Sequence, residues 1–264
     1  MRIIITCGYN QSLHAISLIS ALNKSGHHVV GCIIVRTFQL KRLKIKIKMY
    51  GLKDVIRKFQ NAVLGSKNEF NKETFYICEY MKNNKIKFKK VSLICRKLNI
   101  PFINVDNLNE EKSNLFLKEM NTDLVVYAGG GILRKKFIRI PNIGILNAHS
   151  GHLPFFRGMN VIEWSLLYNK KPTITVHMIS EGIDTGDILF HKSIPIKKDN
   201  TILDIRGEAV VAEVESLIHV ISNFDEIYEE RISQKEYSGT QFFIMHKRLV
   251  KIASKNIHSF DSSY

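Results

Sequence analysis

The sequence is short of the features that mark specialised classes of protein. Its four cysteines, Cys7, Cys32, Cys78 and Cys95, are scattered, with no C-x-x-C pair and no metal-ligand spacing. That pattern excludes a disulfide framework and points to a reduced compartment. Two of them fall in apolar strand-like runs, where a free cysteine behaves as a small buried hydrophobe. No run of about 18 apolar residues occurs, so no membrane-spanning helix is expected. The opening Met-Arg-Ile-Ile-Ile-Thr carries an apolar run too short for a signal peptide. The expected location is therefore cytoplasmic. Internal repeats and low-complexity linkers are missing. The triplet Gly129–Gly131 lacks G-x-G-x-x-G spacing and a following Walker-type lysine, so it is not a phosphate-binding fingerprint.

What is present suits one α/β domain with a small appendage. The chain has 264 residues, 45% of them hydrophobic and 24% charged, enough to build and solvate a real core. The formal net charge of +15 is local: residues 36–97 hold 18 Lys/Arg against 4 Asp/Glu, a surplus of 14. Within this stretch Lys41–Lys48 alternates basic and apolar residues, and Lys53–Leu64 has helical spacing. Residues 36–90 thus read as a basic insertion, either a solvated lysine-rich segment or an electrostatic patch for an anionic partner.

Outside the insertion, strands and helices alternate. Arg2–Cys7 is a β-branched strand, and Ser12–Asn23 places apolar residues at helical spacing behind a good N-cap, Ser12. His28–Val35 is a second strand, and this βαβ start predicts a mostly parallel sheet. The pattern resumes with a helix at Lys90–Asn99, strands at Pro101–Val105 and Asp123–Ala128, and a helix between them at Leu108–Met120. Arg134–Ile140 is a short helix, Gly144–His149 a strand and Val161–Tyr168 a helix. Thr173–Ile179 and Asp187–Ile196 are strands, and Thr201–Ser222 is a long amphipathic helix. The tail after it holds one apolar run, Gln241–Met245.

Candidate chemistry concentrates in residues 142–196. Gly144–His149 ends in Asn147 and His149, which as residues i and i+2 of a strand project from the same face. The C-terminal end of a strand is where open parallel sheets bind ligands. The loop Ser180–Asp187 follows a second strand and contains Asp184 between two glycines. Transfer of an acyl-type group to an amine needs a proton acceptor working near neutral pH, a role His suits by its ordinary pKa. It also needs a neutral donor aimed at the developing oxyanion, as an Asn amide supplies. A nearby carboxylate stabilises the charged imidazole. On spacing alone, a strand-end Asn-x-His is more often structural than catalytic. His152 and His177 lack companions for a metal site, and His177, in an alternating strand, reads as a partly buried hydrogen-bonded side chain. Asp187 either braces its loop or touches the ligand. Arg157 is the residue near the site best suited to phosphate oxygens, although bracing its loop is the more frequent role.

The run Asn147-Ala-His149-Ser-Gly-His-Leu-Pro154-Phe155-Phe-Arg157-Gly158, followed by Gly182-Ile-Asp184-Thr-Gly186-Asp187, resembles the folate-dependent formyltransferase family. The likeness is specific between 142 and 190, good over about 100–220, loose over 1–35 and absent from 36–90. It implies a Rossmann-like core with N10-formyltetrahydrofolate as co-substrate and no metal. It implies that Asn147 polarises the formyl oxygen, His149 takes the amine's proton, and Asp184 holds His149 and assists proton movement. Gly129, Gly130, Gly131, Ile132 and Leu133 match the family segment that binds the pterin ring. Glu181, Gly182 and Ile183 would close its other side. Pro154, Phe155 and Arg157 are candidates for the acceptor side. Gly151 stands where the family often has Ser, a departure expected not to touch the three catalytic candidates.

The acceptor is narrowed by elimination. Methionyl-tRNA formyltransferases carry a C-terminal barrel, for which the roughly forty residues after Ser222 are too few. Glycinamide ribonucleotide enzymes are close to the bare domain. Residues 1–222 are thus expected to form the catalytic domain, and 223–264 a short element whose apolar strand suits a dimerisation hairpin. This most resembles the sugar N-formyltransferases, with a nucleotide-linked amino sugar as acceptor, a role in surface polysaccharide synthesis, and a homodimer. The other two acceptors stay as alternatives. So does an RNA-binding protein on this fold, although the basic segment shows no RNA-binding motif.

Overall fold

The computed structural model describes residues 1–36, 67–197, 199–234 and 239–260. The expected alternation of Lys41–Lys48 and the helix at Lys53–Leu64 lie outside them.

Five parallel strands form the first part of a seven-stranded sheet: β1 (Ile3–Cys7), β2 (Val29–Val35), β3 (Phe102–Val105), β4 (Leu124–Ala128) and β5 (Gly144–His149). Their spatial order is β3-β2-β1-β4-β5, the doubly wound arrangement. Beyond β5 the sheet changes sense. β7 (Thr173–Met178) and β8 (Ile188–Ser193) add on antiparallel, so the sheet is mostly but not wholly parallel.

Near-continuous apolar sequence makes β1, β2 and β4 central strands, because both faces are covered. On one face Ile3, Ile5, Cys32, Ile34 and Val126 pack against α1 (Leu13–Lys24), α2 (Lys67–Asn83), α3 (Val91–Lys97) and α7 (Ile202–Ser222). On the other, Ile4, Ile33, Val125 and Ile145 meet Phe116 and Leu117 of α4 (Glu111–Glu119) and Phe137 of α5 (Lys135–Ile138). Alternate residues of one strand thus feed two cores. Gly31 is required where β2 passes α4, since a Cβ there would lie 2.9 Å from the Phe116 ring.

Local chemistry sets the helix ends. Ser12 Oγ accepts the Ala15 N–H at 3.2 Å, capping α1 as expected. Thr201 and Asp204 form a reciprocal capping box on α7. Asp204 also accepts from Lys72 and Tyr76 at 3.3 and 3.4 Å, tying α2 to α7. With Ile77 and Met81 buried, α2 belongs to the catalytic domain's own core. The described part of the expected insertion thus packs on the same core as the strands around it.

A third apolar cluster joins α6 (Val161–Leu167) and α7 to the tail through Met245, Ala253 and Ile257; beyond the short α8 (Phe224–Glu229), the tail helix α9 (Lys247–Lys255) packs on α6. Before α9, β9 (Thr240–Phe242) pairs in parallel with β6 (Phe156–Gly158). The apolar strand of the tail finds its partner inside the chain, because Phe242 stacks on Phe156 at 5.3 Å and packs beside Trp164 at 5.0 Å. Phe243 and Ile244 next to it remain exposed.

Candidate active site

Three strands place a polar row across the end of the sheet. Asn147 of β5 pairs in register with Tyr127 of β4 on one side and His177 of β7 on the other. His149 lies two residues further on and opposite Thr175. Asp184 sits on the loop after β7 in a left-handed conformation, φ 53°. From there its two carboxylate oxygens reach different rings: Oδ2 is 3.7 Å from His149 Nδ1 and Oδ1 is 3.8 Å from His177 Nε2. Residues far apart in sequence thus converge on one point.

Hydrogen-bond partners assign the tautomers. His177 Nδ1 lies 2.8 Å from the Met178 carbonyl, which only an N–H can satisfy. Its Nε2 is then the lone-pair atom, and Asn147 Nδ2 donates to it at 3.1 Å. Burial, with the neighbouring His149 in second place, lowers the His177 pKa to about 4, so this ring is a neutral acceptor at pH 7. The consequence is directional: the Asn147 amide is held with one N–H engaged and the other free for a ligand oxygen. His149 is buried, and its Nε2 lies 2.9 Å from the Phe156 carbonyl. Nε2–H therefore donates there, leaving Nδ1 as the basic atom on the Asp184 side. The family likeness implied that Asp184 holds His149, whereas here the Phe156 carbonyl fixes the ring and Asp184 faces the atom that would gain the proton.

Strand β6 positions both groups. The Gly158 N–H donates to Asp184 Oδ2 at 2.8 Å, two residues after the carbonyl that holds His149. Gly158 has φ 95°, and a Cβ there would lie 2.2 Å from the Phe242 carbonyl of β9. Gln234, 3% exposed, donates to the Asp184 and Gly186 carbonyls and so supports the left-handed turn from behind. Gly151 corrects an expectation. A Cβ at that position would lie 2.7 Å from His149 Nε2 and 2.5 Å from the Phe156 carbonyl, so the departure from Ser bears directly on the candidate base.

Two cavities meet at this cluster. The larger, about 620 Å³, opens beside His149 between the end of β5 and helices α1, α2, α6 and α7. The smaller, about 150 Å³, lies beside Asn147, His177 and Asp184. Gly131, Ile132, Leu133, Glu181, Gly182 and Ile183 line the smaller one, whereas Gly129 and Gly130 do not. Gly130 instead packs on Leu108, 2.4 Å from where its Cβ would be. Tyr127 Oη and the Gly131 backbone bond each other in both directions, at 2.9 and 3.1 Å, which shapes the glycine turn. Glu181 is paired with Lys135 and Arg139, both at 3.2 Å, at the rim. Apolar walls, a glycine turn and backbone polar groups fit a flat heteroaromatic such as a pterin.

Pro154, Phe155 and Arg157 do not line the larger cavity. Alternation along β6 turns Gly158 toward it and Arg157 away, where Arg157 donates to Gln234 Oε1 at 3.4 Å. Asp187 pairs with Arg231 at 3.5 Å, a brace for its loop. His152 stacks on His191, centroids 4.7 Å apart. Among the described residues no group of three or more His, Cys, Asp or Glu is placed to hold a metal ion. No helix of the described residues is long and apolar enough to cross a membrane. Sequence reasoning missed His177 as a member of the cluster. Its in-register pairing with Asn147 depends on an antiparallel neighbour that no local pattern announces.

A doubly wound α/β domain with Asn, His and Asp between two cavities at its carboxyl edge defines a group-transfer enzyme class. The formyl transferase family matches residues 1–221, and the chain belongs to that family. A methionyl-tRNA formyltransferase from Thermodesulfovibrio yellowstonii is 32% identical over 153 residues, covering 57% of this chain and 48% of its own length. The chain spans about half the length of the curated relatives it matches. Among solved structures, a phosphoribosylglycinamide formyltransferase from Anaplasma phagocytophilum has TM-score 0.58 at 17% identity, covering 92% of this chain and 99% of that one. A sugar 3N-formyl transferase solved with dTDP and 5-N-formyl-THF has TM-score 0.53 at 15% identity, covering 98% and 80%. At these identities the structures speak to fold.

Proposed function

We propose that this chain is a cytoplasmic enzyme that transfers a formyl group from N10-formyltetrahydrofolate to the amine of a nucleotide-linked amino sugar. The observation that carries the reaction is the position of Asn147, His149 and Asp184 on the wall between two cavities of unequal size. The smaller cavity takes the pterin end of the donor. The amine enters from the larger cavity on the His149 side.

The residues then divide the work. The free N–H of Asn147, oriented by neutral His177, stabilises the charge that develops on the formyl oxygen. His149 Nδ1 takes the proton of the attacking amine. Asp184 Oδ2 stabilises the imidazolium so formed while the Gly158 N–H keeps that carboxylate in place.

The acceptor reading is supported by four polar side chains, His14, Ser150, Glu163 and Glu213, set into the mostly apolar lining of the larger cavity. A methionyl group brings a thioether chain that gains from apolar walls, whereas a sugar brings hydroxyls that satisfy such groups. Methionyl-tRNA is the second reading, favoured by the names of the curated relatives. Incubation with N10-formyltetrahydrofolate and 3-amino or 4-amino sugar nucleotides, glycinamide ribonucleotide or methionyl-tRNA, followed by mass detection, tests the choice. Formylation of a sugar nucleotide is expected. Turnover of methionyl-tRNA with no formylated sugar overturns the reading.

The assembly is a homodimer in this proposal, supported by exposed Phe243 and Ile244 beside the tail strand. Light scattering should give twice the chain mass for the wild type. A wild-type chain that scatters as a monomer at micromolar concentration removes the dimer from the reading.

A further inference from the structure

The mechanism above gives the Asp184 carboxylate a task, and a residue of the tail holds the turn that carries it. The family match ends at residue 221, and beyond it Gln234 is buried almost completely. The chain reaches this position across the start of β8. Ile188 and Ile232 exchange both backbone hydrogen bonds at 2.8 Å, an antiparallel bridge. Continuing that register by two residues sets Gln234 opposite Gly186. Arg231, next to the bridge, pairs with Asp187 at 3.5 Å and lies over the Tyr228 ring at 4.3 Å, which anchors the same stretch.

The Gln234 amide is engaged at both ends. Its Nε2 donates to the Asp184 carbonyl at 3.2 Å and to the Gly186 carbonyl, while its Oε1 accepts from Arg157 Nη2 at 3.4 Å. One planar group thus ties together the carbonyls on either side of Thr185. The loop is pressed against β7 here, since a Cβ at Gly186 would strike the Met178 carbonyl. Its own buried carbonyls need a partner from the opposite side, and the tail supplies one. Asp184 has φ 53°, a left-handed conformation that a residue with a Cβ keeps only when its surroundings fix it. From the other side the Gly158 N–H holds Asp184 Oδ2 at 2.8 Å. Arg157 and Gly158 are neighbours on β6, so a closed ring of contacts runs from β6 through Asp184 and Gln234 back to β6.

We propose that Gln234 is a positioning residue for formyl transfer: by holding the carbonyls of Asp184 and Gly186 it fixes the turn that aims Asp184 Oδ2 at His149 Nδ1. Gln234 lines neither of the two cavities that meet at the cluster, so it acts through Asp184 and not on donor or acceptor. The imidazolium formed on proton transfer gains its stabilisation across the 3.7 Å between Oδ2 and Nδ1, and that gain weakens as the turn relaxes. The inference rests on the roles proposed above for Asp184 and His149, and it is independent of which amine is the acceptor. It makes the tail part of the catalytic apparatus as well as a packing element on α6.

The test follows formyl transfer from N10-formyltetrahydrofolate by the full chain, with the amine that the acceptor panel above shows to be turned over. Gln234→Met keeps the length and bulk of the side chain and removes both N–H donors. Gln234→Glu keeps the shape and the acceptor for Arg157 but turns oxygen toward the two carbonyls. Each should lower kcat about tenfold, with both KM values within about twofold of wild type. Asp184→Asn alone should lower kcat about 10²-fold. Adding Gln234→Met to it should then change kcat by less than about twofold, because the carboxylate it positions is already gone. A thermal melt screens each variant for folding, and if Gln234→Met does not fold, Gln234→Glu carries the same cycle. An unchanged kcat in the folded variant, an equal loss in the Asp184→Asn background, or a change confined to the donor KM overturns the positioning role with the reading of the site intact. If Asp184→Asn keeps the wild-type rate, or no amine of the panel is formylated, the reading of the site falls and this inference falls with it.

Discussion

The two cavities that meet at His149 and Asp184 are built on opposite plans. The smaller one is lined mainly from two short stretches, residues 127–133 and 177–184, with Asn147 of β5 between them. The larger one is made of side chains from helices α1, α2, α6 and α7, several of them titratable and buried. In the proposed division of the site, the pocket of turns takes the donor and the pocket of helix side chains takes the acceptor. The chemistry sits on the seam, so donor and acceptor recognition can vary independently of it.

Removing the seam should have the largest effect. His149→Ala is expected to lower kcat about 10³-fold, and Asn147→Ala about 10²-fold, with melting temperatures near that of the wild type. Rates within threefold of wild type in a folded His149→Ala protein would remove the assigned base and, with it, the division into donor and acceptor sides. Next in size is Gly151→Ser. Its Cβ must displace the Phe156 carbonyl or the His149 ring, so kcat should fall roughly tenfold while both KM values move little. An unchanged kcat there would mean that the loop relaxes freely and that the Phe156 contact does not position His149.

How much of this was legible beforehand follows the same division. The elements of β1, β2 and β4 were plain, because a strand buried on both faces must be apolar throughout. Asn147 and His149 could be paired from the sequence because they share a strand, whereas Ile132, Leu133, Glu181, Gly182 and Ile183, which line the smaller cavity, were pointed to only by the family likeness. The acceptor cavity was not legible. His14 and Glu213 carry no local motif that sets them apart from other polar helix positions. Only the packing of α7 across α1 and β5 turns Glu213 inward. Arg157, whose motif position suggested the acceptor, is directed by the pleat of β6 to Gln234 and to a separate cavity of about 580 Å³ beside the Ser180–Asp187 loop.

A smaller effect sharpens the contrast between the cavities. Ile183 is 48% exposed and lines only the smaller one. Ile183→Ser removes apolar surface from the donor side alone, worth about 1 kcal/mol. The donor KM should therefore rise about fivefold with the acceptor KM constant. A parallel rise in the acceptor KM would show that the cavities are not independent.

The smallest expected effect is on stability, and its sign differs between two of the groups, His177 and Glu213. On the donor side, burial holds His177 neutral, with its pKa lowered from 6.5 to about 4. The unfolded chain binds the proton first as pH falls, so the folded state loses stability between pH 6.5 and about 4 and keeps it above 6.5. On the acceptor side, burial raises Glu213 from 4.5 to about 7. There the unfolded chain releases its proton first as pH rises, so stability falls between pH 4.5 and about 7 and then levels. Glu213→Gln removes only the second slope. Its melting temperature should match the wild type at pH 4.5 and exceed it by a few degrees at pH 8, a scale set by roughly 2 kcal/mol of lost desolvation penalty. Equal melting temperatures at both pH values would show that Glu213 meets water or a cation in solution, and the acceptor cavity would then be wetter than its packing implies.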